Sequence, residues 1–155
     1  MKGQEKIIAV LNDFLADELT AISQYMVHSE MCDDWGYDKL HTAIEKRAID
    51  EMKHAEKLIG RILFLEGIPV VSSLKKMEIG AKVDAQLKSD YAAELGAIQG
   101  YNLGIHLCFD LGDNGTRELI EANLKDEGDH LDWLETQLGQ IEQMGVQNYL
   151  LSQVG

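Results

Sequence analysis

The motif Glu-x-x-His occurs twice in this chain, and it restricts the possible fold more than any other feature. The first copy runs from Glu51 to His54, and the second from Glu127 to His130. Residues three apart lie on one face of an α-helix, so each copy can direct a carboxylate and an imidazole at the same point. One such motif is common by chance, whereas two copies predict a duplicated helical unit.

A lone glutamate precedes each motif at the same distance, which extends the duplication. Glu18 lies 33 residues before the first motif and Glu94 lies 33 residues before the second, so all three residues recur at a shift of 76. With residues 17–66 aligned on 93–142, 15 of the 50 pairs are identical. Outside the motifs, these pairs include Tyr25/Tyr101, Cys32/Cys108, Asp50/Asp126 and Leu58/Leu134. The repeat predicts two similar helical hairpins that face each other across a pseudo-twofold axis.

Apolar residues recur at helical spacing over four long segments. These segments run from about Gln4 to Asp33, from Asp38 to Glu66, from Val83 to Leu111 and from Thr116 to Met144. Gly36 is a suitable helix terminator, and Asp38 is a suitable N-cap for the second helix. A short fifth helix is predicted over residues 146–153.

Residues 67–82 lack helical periodicity and contain the only proline, Pro69. A segment of this length can cross a helical bundle from end to end, because an extended chain covers about 3.3 Å per residue. We therefore expect a long crossover that makes the second and third helices parallel. The predicted fold is all-α, with one domain over residues 1–155 that forms a four-helix bundle with a short fifth helix.

Six residues of the repeated set fall on inward helix faces at a similar height in this bundle. They are Glu18, Glu51, His54, Glu94, Glu127 and His130. Four carboxylates and two imidazoles without a thiolate suit two iron or manganese ions, and zinc is less apt. We expect Glu51 and Glu127 to bridge the ions and the other four residues to be terminal ligands. The alternative is a buried network of Glu and His pairs, in which the repelling carboxylates would take up protons.

Composition excludes several classes of function. The net charge of −13 and the isoelectric point near 4.6 argue against a nucleic-acid partner, which requires a basic face. No stretch of 18 apolar residues is present, so no membrane span is predicted. The N-terminus lacks the apolar core of a signal peptide. Cys32 and Cys108 are expected to be reduced, partly buried thiols of a cytoplasmic protein.

The six residues also carry a resemblance to the bacterioferritins that covers essentially the whole chain. Flanking stretches match as well: residues 49–55, 61–67, 132–135 and 148–150. Two Glu-x-x-His motifs with two further glutamates are the known ligand pattern of ferritin-like di-iron proteins. The resemblance implies a hollow shell of twenty-four subunits with a ferroxidase site in each subunit. It implies oxidation of Fe²⁺ by dioxygen or hydrogen peroxide and deposition of a ferric mineral core.

The resemblance also assigns a role to Met52, which lies next to Glu51 and points away from the predicted metal site. In the bacterioferritins, a methionine at this place binds haem b, with one methionine from each chain of a twofold pair. An ordinary packing methionine is the alternative. His28 and His41 are the next candidates for the haem ligand. A ferredoxin-type protein is the expected reductant of the mineral.

Lys46, Glu45 and Arg47 depart from the family, whereas Tyr25 is retained. Lys46 replaces a histidine that, with Asp50, can hold an additional iron in the family, so that site is not predicted here. Glu45 replaces a tyrosine and is expected near the haem pocket. Tyr25 lies close to the expected metal site and could supply an electron during oxidation.

Other classes of protein share part of this pattern. A rubrerythrin-like diiron oxidase or peroxidase would have both Glu-x-x-His motifs, but it usually brings a Cys-x-x-Cys iron domain that this sequence lacks. A mini-ferritin would place its ligands across a subunit interface. A haem-binding electron-transfer bundle would require Met52 but not the six repeated residues.

Overall fold

The computed structural model describes residues 1–155 as five α-helices with no strand. The helices are α1 (Glu5–Asp34), α2 (Asp38–Phe64), α3 (Val83–Asp110), α4 (Asn114–Met144) and α5 (Val146–Gln153). The all-α bundle with a long crossover and a short fifth helix is thus confirmed. None of these helices combines the length and the apolar character that crossing a lipid bilayer would require.

Contacts at one end of the bundle establish the directions of the helices. The start of α1 meets the end of α2, where the backbone N–H of Gly3 donates to the carbonyl of Leu65 over 2.9 Å. Gln4 also donates to the carbonyl of Leu111 at the end of α3. The α2 residue Arg61 binds Asp113 at the start of α4. The ends of α2 and α3 therefore lie together, and these two helices are parallel as the sequence predicts.

The crossover after α2 is held along α1 by polar side chains. The backbone N–H groups of Lys75, Glu78 and Gly80 donate to Thr20, Gln24 and His28, respectively. The three acceptors are spaced four residues apart, which places them in one row on α1. Each N–H of an extended segment requires a partner when it leaves water, and this row supplies three of them.

Two apolar clusters fill the bundle on either side of a polar layer. The first contains Ile7, Leu11, Phe14, Leu15, Ala55, Leu58, Ile62, Leu65, Tyr101, Cys108 and Ile120. The second contains Tyr25, Cys32, Leu40, Ile44, Ala48, Val83, Leu87, Leu134 and Tyr149. On each helix the predicted metal ligands fall between the two sets. The clusters therefore hold the polar layer at mid-height and keep bulk water from it.

Helix boundaries differ from the predicted ones where capping was misassigned. Asp38 is the first residue of α2 rather than its N-cap, and Tyr37 precedes it without a side-chain cap. Helix α4 begins two residues before Thr116, because Asp113 is the N-cap and accepts a hydrogen bond from the Thr116 N–H. Helix α2 ends at Phe64, since Glu66 adopts a φ of 63° that terminates it.

The fifth helix and the two cysteines complete the core. Tyr149 of α5 is fully buried, and its hydroxyl donates to Gln137 of α4 over 2.6 Å. Cys32 and Cys108 are free, but both are fully rather than partly buried. Burial raises the pKa of each thiol to about 11, so both are unreactive near neutral pH.

Candidate metal centre

All six residues of the repeated set meet in the polar layer between the two apolar clusters. Each is at least nine-tenths buried, although ionisable side chains are seldom buried without partners. Their donor atoms form two groups, and within each group all donor atoms lie within 4.8 Å of one another. The first group is Glu18, Glu51, His54 and Glu127, and the second is Glu51, Glu94, Glu127 and His130. Glu51 and Glu127 belong to both groups.

The first group is arranged around Nδ1 of His54. This atom lies 2.9 Å from Glu127, 3.4 Å from Glu51 and 3.6 Å from Glu18. The 2.9 Å contact is short, but its direction does not suit a hydrogen bond, so Nδ1 of His54 and Oε1 of Glu127 both lack a partner. Buried polar atoms rarely lack partners, and this pair lies where a cation would bind both.

The second group repeats this arrangement around Nδ1 of His130. This atom lies 3.1 Å from Glu51, 3.6 Å from Glu94 and 3.8 Å from Glu127. One carboxylate oxygen of Glu94 has no hydrogen-bond partner, and Glu18 has one such oxygen in the first group. Each half of the centre therefore leaves one terminal glutamate oxygen available to a cation.

Two aspartates fix the orientation of the imidazoles. Nε2 of His54 lies 2.9 Å from Asp126, and Nε2 of His130 lies 3.1 Å from Asp50. An imidazole whose Nε2–H donates to a carboxylate keeps the Nδ1 lone pair for a metal, and this arrangement is common around metal-binding histidines. Sequence reasoning did not assign this role, although Asp50 and Asp126 are an identical pair in the repeat.

Two tyrosines contact the terminal glutamates. Tyr25 donates to Glu94 and Tyr101 donates to Glu18, both over 2.5 Å. Burial, together with the neighbouring carboxylates, raises the pKa of both phenols well above the usual value. The predicted proximity of Tyr25 to the centre is correct. Tyr101, its partner in the repeat, was not singled out, and the identical pair in the alignment is the signal that could have found it.

Protons compensate for the buried charge in the metal-free centre. Burial and the charge of Glu18 raise the pKa of Glu51, while burial and the neighbouring carboxylates of Glu94 and Glu51 do the same for Glu127. Burial would lower the pKa of His54, but the close carboxylates of Glu127, Glu18 and Glu51 around Nδ1 outweigh it and raise that pKa. The centre therefore holds protons in the positions that cations would occupy.

The pKa values of two further ligands, His130 and Glu94, also reflect a balance between burial and contacts with neighbouring groups. The pKa of His130 is raised, since the close contact with the Glu94 carboxylate and the attraction of its charge outweigh burial. Burial would raise the pKa of Glu94, but its contacts with Glu127, His130 and the Tyr25 hydroxyl outweigh it, so this pKa is lowered. Both shifts favour the charged forms of this pair, the carboxylate of Glu94 and the imidazolium of His130.

A cavity of about 380 Å³ leads from the α1, α3 and crossover side to the centre. Four of its lining residues are Glu18, Glu51, Glu94 and Glu127. The passage is open because its walls include Ala93, Gly96, Ala97 and Gly100 of α3. Asp13 and Asp17 also line it, and Lys75 of the crossover binds both, at 2.9 and 2.7 Å. The cavity thus joins a surface of paired charges, with Lys76 also in its lining, to the four carboxylates.

Met52 lies apart from the centre, on the outward side of α2, and 45% of its surface is exposed. It borders a groove of about 320 Å³ whose apolar walls are Ile22, Met26, Ala48 and Ile49. Glu30 and Glu45 also line this groove. His28 is fully buried between Asp90 and Gly80, so it is not available as a ligand on this surface.

Comparison with known proteins places this chain in a family. A family model described as the ferritin-like domain matches residues 8–144. The chain is 40% identical to the bacterioferritins of Brucella melitensis and Rhodobacter capsulatus, with 96% and 97% of this chain and 92% and 94% of those proteins covered. It is 41% identical to a bacterial ferritin of Synechocystis sp., with 99% of each chain covered. The similarity thus extends over the whole bundle.

Proposed function

Because this chain belongs to the bacterioferritins, within the family of the ferritin-like domain, we propose that it stores iron and oxidises Fe²⁺ at the six-residue centre. Two Fe²⁺ ions enter the centre of each subunit and are oxidised to Fe³⁺ by dioxygen or hydrogen peroxide. The Fe³⁺ then passes to a ferric mineral inside a hollow shell of subunits.

The observation that carries this proposal is the sharing of Glu51 and Glu127 between the two groups of donor atoms. Two cations bound in these groups would have two carboxylates in common, so they would lie side by side. Two adjacent Fe²⁺ ions can deliver two electrons to one oxidant molecule. Hard carboxylate oxygens also bind Fe³⁺ more tightly than Fe²⁺, which favours the oxidised product.

The orientation of the histidines supports a role in metal binding rather than in a purely structural network. Asp126 and Asp50 engage the Nε2 atoms, so the Nδ1 atoms of His54 and His130 face the centre. In a purely structural network, the buried polar atoms would form hydrogen bonds with one another. Here one carboxylate oxygen of each of Glu18, Glu94 and Glu127, and Nδ1 of His54, have no hydrogen-bond partner.

The cavity beside α3 provides a route for Fe²⁺ from the surface. The four glutamates at its inner end attract cations, and the net charge of −13 adds a field of the same sign. On the opposite side, a smaller opening is lined by Asp50, Lys53, His54 and Asp126 among others. A centre with an opening on each side can receive Fe²⁺ on one side and release Fe³⁺ on the other.

Removal of one terminal glutamate at a time tests the proposal. Glu18→Ala and Glu94→Ala should each abolish rapid Fe²⁺ oxidation, measured by stopped-flow absorbance, because each removes a ligand from only one of the two positions. Glu118 is exposed on the surface of α4, so Glu118→Ala is the matched control and should oxidise Fe²⁺ normally. Wild-type rates in both site variants would refute the assignment.

Assembly into a shell of twenty-four subunits is the part of the proposal that distinguishes storage from a small diiron oxidase. The isolated chain exposes large apolar side chains on its outer faces, including Met26, Ile49, Leu63, Phe64, Leu103 and Phe109. Extensive apolar exposure marks surfaces that pack against other chains. Light scattering on the purified protein should give the mass of a twenty-four-subunit particle, and a stable monomer or dimer would favour the rubrerythrin-like alternative.

The groove beside Met52 fits haem b in part. The Met52 thioether suits haem iron, and the apolar walls of the groove suit the face of a porphyrin. Glu30 and Glu45 carry the same charge as the porphyrin carboxylates and would weaken binding. We propose that Met52 and Met52 of the partner subunit hold one haem b, which supplies electron transfer between a ferredoxin-type reductant and the mineral.

A further inference from the structure

Each half of the metal centre has its own buried tyrosine. Tyr101 donates to Glu18, which belongs only to the group around His54. Tyr25 donates to Glu94, which belongs only to the other group. Each phenol is therefore separated from one metal position, and only one, by a single carboxylate. Hydrogen bonds from a hydroxyl to a carboxylate are short and strong, so this geometry is well defined.

The surroundings of Tyr101 shield its ring from water. The side chain is 1% exposed, and its ring centroid lies 4.6 Å from that of Phe14. Gly104 permits this contact, because a Cβ at that position would lie 2.5 Å from the Phe14 ring. Asn123, which is fully buried, donates a hydrogen bond to the Tyr101 oxygen over 3.3 Å. Glu18 can therefore accept the phenol proton, and Asn123 still donates a hydrogen bond to the Tyr101 oxygen after that proton has left.

Hydrogen peroxide presents a problem to a centre that holds a single Fe²⁺. One electron from Fe²⁺ converts H₂O₂ and a proton into Fe³⁺, water and a hydroxyl radical. Two electrons and two protons convert H₂O₂ into two waters, with no radical released. When the second metal position is empty, the second electron has to come from the protein.

We propose that Tyr101 supplies this second electron at the position formed by Glu18 and His54, so that a centre holding one Fe²⁺ there reduces hydrogen peroxide to water. This inference rests on the proposed function. Fe²⁺ gives one electron, and the phenol gives one electron and its proton, which passes to Glu18. With two protons from solvent, the products are Fe³⁺, two waters and a tyrosyl radical beside a protonated Glu18.

The next Fe²⁺ restores the phenol. It gives one electron to the tyrosyl radical, and Glu18 returns the proton, so the products are Fe³⁺ and neutral Tyr101. Asn123 donates to the phenoxyl oxygen in the interval and stabilises it. The net result is oxidation of two Fe²⁺ ions by one H₂O₂, even when the ions arrive one after the other.

The test places 3-fluorotyrosine at position 101, which retains the hydroxyl and its hydrogen bond to Glu18. The labelled protein receives one Fe²⁺ per chain without oxygen, is mixed with H₂O₂ and is frozen within milliseconds for electron paramagnetic resonance. We expect a tyrosyl radical whose spectrum shows a splitting from fluorine. Tyr149 is the matched control, because it is a buried tyrosine that donates to the neutral amide of Gln137. The label at that position should leave the spectrum unchanged.

The variant Tyr101→Phe provides a second readout. Under the same conditions it should lose the component of the radical signal that the label identifies, and it should release more hydroxyl radical to a spin trap than the wild type. If the labelled protein shows no fluorine splitting although the wild type oxidises Fe²⁺, this inference is overturned and the proposed function remains intact. Failure of the wild type to oxidise Fe²⁺ would overturn both.

Discussion

Binding of divalent ions at the centre should release protons, and it should strengthen steeply as pH rises. Four groups have a raised pKa in the metal-free centre: Glu51, His54, Glu127 and His130. Two imidazolium protons and two carboxyl protons must leave before all of these side chains can bind cations. A pair of ions thus displaces up to four protons.

The magnitude follows from proton linkage. Each displaced proton changes the overall binding constant about tenfold per pH unit, which is about 1.4 kcal/mol. Displacement of two protons gives about a 100-fold change between pH 6 and 7, and displacement of four gives about a 10⁴-fold change. Because these pKa values are raised, the binding constant continues to increase with pH until the pH exceeds the pKa of each group in the folded protein.

Calorimetry with Co²⁺, which binds without oxidation under nitrogen, measures this directly. Titrations in buffers of different ionisation enthalpy give the number of protons released. His106 is exposed on α3 outside the centre, so His106→Ala should leave that number unchanged, whereas His54→Ala should lower it. A Co²⁺ affinity that does not change between about pH 6 and 7 would refute the protonation scheme.

Three further predictions concern single features. Asp126→Ala should weaken Co²⁺ binding about 10- to 100-fold, because the ring of His54 loses the carboxylate that orients it. Asp129 lies on the exposed side of α4, so Asp129→Ala should not weaken binding, and equal Co²⁺ affinities of the two variants in a titration would contradict this prediction. Met52→Leu should remove the haem absorbance but leave Fe²⁺ oxidation near normal, and full haem retention would make His41 the next candidate. Iron uptake should slow as salt rises from about 10 to 500 mM, and an unchanged rate would limit the acidic charge to a role in solubility.

The repeat made most of the centre predictable, but not the contacts between its halves. Sequence spacing shows which residues are equivalent, so it identified the six candidate ligands. It does not show which residues face each other across the bundle. Tyr101 meets Glu18, and Asp126 meets His54, and in both cases the two residues come from different hairpins. Such pairs depend on how the hairpins pack, which no local pattern records.

Helix ends were less predictable than helix interiors, for a related reason. The apolar periodicity of each helix extends over many residues, whereas a boundary depends on one or two. Asp38 and Asp113 both precede apolar positions, but only Asp113 acts as an N-cap, because the Thr116 N–H lies 3.0 Å from its side chain. Asp113 is also held by Arg61 from α2, a contact that the local sequence does not predict.

Anomalous X-ray diffraction from crystals soaked in Mn²⁺ or anaerobic Fe²⁺ tests the central claim most directly. We predict two metal peaks within one subunit, both bound by Glu51 and Glu127. One peak should also contact Glu18 and Nδ1 of His54, and the other Glu94 and Nδ1 of His130. A single peak, or peaks formed by residues of two subunits, would contradict an intrasubunit centre for two ions.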